Sequence, residues 1–298
     1  MSKLWKNYRY LIGRRFTQVL LLVLFFGANA WGWKILTGNL SSSEILGVIP
    51  MSDPYAVLQM VAAGAIVATD LLMGVTVVTL FYFLIGGRAF CSWVCPINMV
   101  TDSANYLRRV FDIDRAQKTR QLITRNMRYW VLGLSFLVSA FMGIAAFEFV
   151  SPISMMHRGI VFGMGFGWAA IALIFLFDLF VLKNGWCGHV CPLGGFYSLL
   201  GKYSFIRVHY LEENCTLCMR CKEICPEKQV LHMIGKESLP ILSGECTNCA
   251  RCIEVCDDDA LRFSKRDIIH NKKMGEYNED FNKSYNRFGN SSFVVGWL

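Results

Sequence analysis

An all-α transmembrane domain of four helices, followed by a small α+β domain rich in cysteine, is the fold class that the sequence predicts. Three observations carry it: four apolar segments precede residue 184, the basic residues crowd into alternate connections between those segments, and all twelve cysteines fall into four regularly spaced groups. With 54% hydrophobic residues and a mean hydropathy of +0.38, the chain is too apolar for an ordinary soluble protein. The expected organisation is a membrane domain over 1–204, a cysteine-rich domain over 205–263 and a polar tail over 264–298.

The apolar segments are Phe16 to Leu36, Tyr55 to Gly87, Tyr129 to Val150 and Phe162 to Leu182. Each reaches the roughly 20 residues that a helix needs to cross about 30 Å of hydrocarbon. The second is too long for one crossing. Counting back from Gly86-Gly87 starts its span near Ala68, which leaves Asp70 at the opposite interface and 54–69 lying along or re-entering that surface.

Orientation follows from charge. Lys3, Lys6, Arg9, Arg14 and Arg15 precede the first span, and Arg88, Arg108, Arg109, Arg115, Lys118, Arg120, Arg125 and Arg128 fill the connection between the second and third. Residues 37–56 hold no Lys or Arg and 151–161 hold only Arg158, so the positive-inside rule places both chain ends in the cytoplasm of a multi-pass inner-membrane protein. The net charge of +8 is thus a mark of topology, not of nucleic-acid binding. Ala28-Asn29-Ala30 resembles a signal-peptidase site, but a chain beginning at Met1 is expected to keep the segment as an anchor.

Within the second predicted domain the cysteines read Cys215-x2-Cys218-x2-Cys221-x3-Cys225-Pro226 and, 31 residues on, Cys246-x2-Cys249-x2-Cys252-x3-Cys256. This is the bacterial spacing for paired 4Fe-4S clusters, in which the fourth cysteine of each run ligates the other cluster. Cys215, Cys218, Cys221 and Cys256 are expected to hold one centre, and Cys246, Cys249, Cys252 and Cys225 the other, in a 2[4Fe-4S] ferredoxin-like domain. Structural zinc more often takes two separated CxxC pairs, and disulfides are disfavoured on the cytoplasmic side.

The other four cysteines form Cys91-Ser92-Trp93-Val94-Cys95-Pro96 and Cys187-Gly188-His189-Val190-Cys191-Pro192, 96 residues apart. Each follows an apolar span and an aromatic residue, which suggests a duplicated unit. Cysteines four apart share one helix face, so the two motifs could converge on a four-thiol site. That site reads as a third metal or iron-sulfur centre, as a redox-active dithiol pair, or as small buried residues before a helix-stopping proline. His189 has Trp93 as its counterpart, which weakens a ligand role for it.

Four spans, two CxxxCP motifs and a C-terminal double ferredoxin run together resemble the NapH family of ferredoxin-type membrane subunits over residues 1–263. The resemblance implies a quinol dehydrogenase subunit within a complex. It would pass electrons from quinol through iron-sulfur clusters to a NapG-like partner and towards a periplasmic nitrate reductase, with a membrane-anchored cytochrome c as a further candidate partner. Related polyferredoxins give two alternatives: a CcoG-like metal-reducing assembly factor for an oxidase, and a linker that binds no quinol. Asp257 stands after the last cysteine, where ferredoxins often carry proline.

Quinol oxidation releases two protons, and ionisable residues within or beside spans are the default acceptors. Asp178, nine residues before Cys187, lies about 14 Å from it along a continuous helix and is the favoured candidate. Asp70 is the second, and Glu148 and His157 are expected to gather with it near the outer surface. Residues 97–128 are expected to form a basic helix against lipid headgroups.

Overall fold

The computed structural model describes residues 3–113, 124–163, 165 and 167–266. The described residues up to Ser264 form one compact unit that contains the apolar helices and the cysteine-rich segment together. The predicted tail lies almost wholly outside the described residues.

Helix α1 runs from Lys3 to Trp31, and from Tyr8 onward its 24 residues are long and apolar enough to cross a membrane. Gly32, at φ +69°, ends it short of the predicted Leu36. Leu36 instead opens a three-stranded antiparallel meander, β1 (Leu36–Gly38), β2 (Ser42–Ile45) and β3 (Ile49–Ser52), with Thr37 opposite Glu44 and Glu44 opposite Pro50. The expectation of a purely helical first domain therefore needs correcting. The cause is local turn chemistry: the Asn39 side-chain oxygen accepts from the amides of Ser41 and Ser42 at 2.9 and 2.8 Å and closes the first hairpin.

The long second apolar segment divides close to where the sequence suggests. Helix α2 (Pro54–Ala62) begins with proline in its first turn and Asp53 accepting from the Tyr55 amide, and α3 (Thr69–Ile85) carries Asp70 in its first turn. A five-residue α4 (Ala89–Trp93) leads through Cys95-Pro96 into α5 (Ile97–Val110). Then come α6 (Met127–Met142), α7 (Ala146–Val150), α8 (Pro152–Phe162) and α9 (Gly167–Leu176). Two widened π turns, Phe177–Val181 and Trp186–Val190, continue from α9, and α10 (Pro192–Gly201) closes the series.

Helices α3, α6 and α9 with its π turn are apolar but shorter than α1. They turn large apolar side chains outward: Leu80, Trp130 and Leu173 are 58%, 77% and 71% exposed. Inside, Tyr55, Val78, Tyr82, Phe90, Leu132, Ile174 and Tyr197 pack with Cys95 and Cys191 into one core. Helix α5 is amphipathic, but its buried face, including Thr101, Asn105 and Arg108, packs on the α9 end of the bundle instead of lying free on a surface. The Arg108 guanidinium donates to the carbonyls of Asp178 and Leu179 at 3.0 and 2.8 Å, occupying acceptors that the π turn leaves exposed.

The cysteine-rich segment pairs β4 (Ile206–Tyr210) with β5 (Leu261–Lys265) around two short helices, α11 (Arg220–Ile224) and α12 (Arg251–Glu254). Val208, Leu231, Ile234, Ile241 and Ile253 form its core with Cys221, Cys225 and Cys252. The expected α+β ferredoxin-like arrangement is present.

Candidate electron-transfer site

In the ferredoxin-like segment each run is wound the same way. Leu217 and Met219 in the first run, and Asn248 and Ala250 in the second, hold φ between +47° and +60°. Left-handed residues at matching positions turn successive amides to one side, a nest that favours an anionic group such as an iron-sulfur cluster. The thiols that bear on Cys221 are Cys256, Cys215 and Cys218, while those that bear on Cys252 are Cys249, Cys225, Cys246 and, more weakly, Cys221. Cys256 thus bears on the first run and Cys225 on the second.

All twelve cysteines are free thiols. Among the described residues no three His, Cys, Asp or Glu side chains are grouped closely enough to hold a single metal ion. Burial pushes the Cys225 and Cys252 thiols well above their usual range, and the neighbouring thiols push them further. Buried thiols grouped in this way ionise together only against compensating positive charge of the kind that cluster iron provides. Cys225, Cys246, Cys249 and Cys252 line one cavity with Leu231 and Ile241, so the donor set fits a 4Fe-4S group. This inner site is mostly buried, whereas Cys218 of the outer site is exposed between the exposed side chains of Leu217 and Met219.

A test of the crossing follows. Cys225→Ser is expected to deplete the same centre as Cys249→Ser, and Cys256→Ser the same centre as Cys218→Ser, each with a loss of about four iron atoms per chain. Electron paramagnetic resonance of the four variants checks it; pairing of Cys225 with Cys218 would reject the crossed assignment.

The duplicated motifs also share one geometry. The amide of Cys95 bonds the Phe90 carbonyl at 2.9 Å, and the amide of Cys191 bonds the Trp186 carbonyl at 2.9 Å, each reaching back five residues. A widened turn thus presents two thiols before Pro96 and before Pro192. Cys187 is within electrostatic reach of Cys95, Cys191 and Cys91, so the four thiols converge as the sequence suggests. Helix α1 braces the first motif: Gln18, fully buried, donates to the carbonyls of Ser92 and Cys95 at 3.1 and 3.2 Å, and Thr17 donates to that of Trp93 at 3.0 Å.

The inner ferredoxin loop is docked directly on the first motif. Arg88 donates to the Glu245 carbonyl at 2.9 Å, Ser92 to that of Thr247 at 2.8 Å and Trp93 to that of Asn248 at 3.1 Å. Asn248 returns a bond to the Ile85 carbonyl at 2.8 Å. Arg88 also reaches the Cys187 carbonyl at 3.1 Å and Glu227 at 2.7 Å, so one buried guanidinium joins both CxxxCP motifs to residues flanking Cys225 and Cys246. Around it Glu227 pairs with Arg125 and Arg128 as well, and Arg128 pairs with Glu245. Although burial works against its ionisation, Arg128 and Gln229 hold the Glu245 carboxyl below its usual range. A second group joins Asp102 to Arg15 and Arg251.

The proton-acceptor candidates separate. Asp178 is fully buried, and its Oδ1 accepts from the Trp186 amide at 2.9 Å, tying the first π turn to the second beside Cys187. Its Oδ2 has no partner among the described residues. Asp70 is exposed at the opposite end of α3 from Gly86 and is not brought to the cysteines. Glu148 accepts from Ser41 and Ser154, both at 2.6 Å, and His157 is buried against Phe25 with ring centroids 4.7 Å apart.

Sequence reasoning missed the arginine and glutamate networks because Arg14, Arg88, Arg125 and Arg128 were absorbed into the charge asymmetry. One signal was available: Arg88 lies three residues before Cys91, and Glu227 directly follows Cys225-Pro226.

Residues 67–113 and 164–209, one around each CxxxCP motif, match the family described as 4Fe-4S binding domain, and residues 207–257 match a 4Fe-4S dicluster domain. The chain is 45% identical over 235 residues to the methylamine utilization ferredoxin-type protein MauN of Methylorubrum extorquens, covering 78% of this chain and 80% of that protein. It is 42% identical to the ferredoxin-type protein NapH of Escherichia coli, over 76% of this chain and 78% of the relative. Identity to NapH of Haemophilus influenzae is 41%, over 88% and 92%. No solved structure matches the chain.

Proposed function

The chain belongs to the family of ferredoxin-type proteins that includes NapH and MauN, and from that premise we propose that it is a multi-pass inner-membrane subunit of a quinol dehydrogenase. The observation that carries this reading is the docking of the inner ferredoxin loop, through residues 245, 247 and 248, on Arg88, Ser92 and Trp93 beside and within the first CxxxCP motif. Bound iron-sulfur clusters supply one-electron acceptors. The chain's own residues hold the stations in order: Cys91, Cys95, Cys187 and Cys191 nearest the helices, then Cys225, Cys246, Cys249 and Cys252, then Cys215, Cys218, Cys221 and Cys256.

The membrane placement has α1, α3, α6 and the α9 segment as four spans, with both chain ends cytoplasmic. The apolar side chains turned outward from these helices and the Lys and Arg asymmetry support it. Asp178, buried next to Cys187 with one carboxylate oxygen unpartnered, is the proton acceptor favoured by position. The outer site, with Leu217 and Met219 exposed beside Cys218, is where a NapG-like iron-sulfur protein would take electrons, with a membrane-anchored cytochrome c as a further carrier. The chain is as similar to proteins named for methylamine utilization as to NapH, which favours a common electron-transfer core that serves different terminal routes.

Quinol added anaerobically to the purified chain in nanodiscs is expected to bleach the visible absorbance of the clusters in proportion to the quinol oxidised. Asp178→Asn is expected to slow that reaction by about 10²–10⁴-fold at unchanged iron content. No bleaching in the wild-type chain would remove quinol as its substrate and leave the linker reading; normal bleaching in the variant would remove Asp178 alone.

A further inference from the structure

Arg14 reads in sequence as one more basic residue flanking the first span. In the fold it is 1% exposed. Its Nε lies 3.4 Å from the Tyr10 carbonyl in its own helix, and neither Nη1 nor Nη2 has a hydrogen-bond partner among the described residues. A buried guanidinium with its whole fork unused is rare, because each orphaned N–H loses its water without replacement.

The surroundings indicate what the fork faces. Arg14 lies within electrostatic reach of Cys249, Asp102, Arg251 and Arg15. Asp102 is already engaged by Arg15 and Arg251. The amides of Tyr10 and Leu11, about one turn before Arg14, donate to the Glu254 carboxylate at 2.7 and 2.9 Å, so this end of α1 is seated on α12, which begins two residues after Cys249. Arginines also bear on the other inner thiols, Arg251 and Arg125 on Cys225 and Arg207 and Arg88 on Cys246. Cys221 of the outer site has only its sister thiols and the Lys222 amide as its strongest neighbours. Five arginines, Arg14, Arg88, Arg125, Arg207 and Arg251, thus bear on thiols of the inner site.

We propose that Arg14 donates its Nη–H groups to the sulfur of the inner centre at Cys249, so that helix α1 acts as a positioning element that raises the reduction potential of that centre alone. Reduction adds one negative charge to the centre, and a buried cation with hydrogen bonds to its sulfurs stabilises the reduced form more than the oxidised one. The proposal does not depend on the identity of the electron donor.

The test is a potentiometric titration, followed by electron paramagnetic resonance, of the full chain with its iron in nanodiscs. At the wild-type midpoint of the affected centre, Arg14→Gln is expected to raise the ratio of oxidised to reduced form about tenfold, which is 59 mV for one electron, while the other centre keeps its midpoint. The same shift is expected in a Cys218→Ser background, which keeps only the inner ferredoxin centre. Unchanged midpoints at full iron content would overturn the proposal, as would a shift that disappears in the Cys218→Ser background. Should Arg14→Gln lose iron, Arg14→Lys decides, since it keeps the charge but not the fork: a smaller downward shift supports the assignment and an unchanged midpoint overturns it.

Discussion

Replacing Glu227 with alanine is expected to cost about 3–5 kcal/mol of stability and to release the iron of the inner centre, because it leaves buried guanidiniums without their anion. Glu227 is 2% exposed and is shared by Arg88 at 2.7 Å, Arg128 at 3.3 Å and Arg125. Arg88 and Arg128 are themselves essentially buried, so water cannot replace the lost carboxylate. Glu227→Gln keeps an acceptor oxygen and the volume, and its loss should be smaller. The surface pair Arg220–Asp257 provides the contrast: both side chains are more than half exposed, and breaking it should change stability by less than about 1 kcal/mol. Thermal unfolding in detergent with iron counted per chain checks the order. Equal melting of Glu227→Ala and Asp257→Ala would show that the network contributes no more than a surface pair.

The Glu227 network is not visible in the amino-acid sequence, whereas other parts of the architecture are. The 4Fe-4S dicluster character of residues 207–257 was legible because ligand spacing is local. The convergence of Cys91, Cys95, Cys187 and Cys191 was legible from a repeat, since two copies of one helix-turn unit place equivalent atoms symmetrically. The division of the second apolar segment near Ala68 was legible from length alone. The β1–β3 meander was not, because its strands are three or four residues long and its first hairpin depends on the Asn39 side chain, not on alternating hydrophobicity. Nor was the pairing of Arg88 with Glu227, whose partners lie 139 residues apart. Charge counting assigns an arginine to one side of a membrane, but it does not reveal whether that arginine is solvated there or buried as a counter-ion.

The second large effect expected is steric. At Gly244 an added methyl would land on the carbonyl oxygen of Ser198 and close to the Lys202 amide, and at Gly87 it would land on the Tyr197 carbonyl and the Gly201 amide. Both clashes are with α10 backbone, which cannot swing aside as a side chain would. These glycines therefore set how closely the inner loop and the turn after α3 approach α10 from the two sides. Gly244→Ala should push the loop off its seat and weaken the bonds from Arg88, Ser92 and Trp93 to residues 245, 247 and 248. Overpacking of this kind typically costs about 1–3 kcal/mol, and backbone clashes fall at the upper end. Gly133→Ala is the control, since a methyl there meets nothing within 4 Å and helix propensity should favour it by about 0.5–1 kcal/mol. Amide hydrogen exchange over 245–249 is expected to accelerate at least tenfold in Gly244→Ala and to stay unchanged in Gly133→Ala. If the loop is instead held by its own cluster ligands and merely rests against α10, exchange will be the same in both variants. The route from the CxxxCP thiols to the inner site would then depend on the clusters for its continuity, not on the docking.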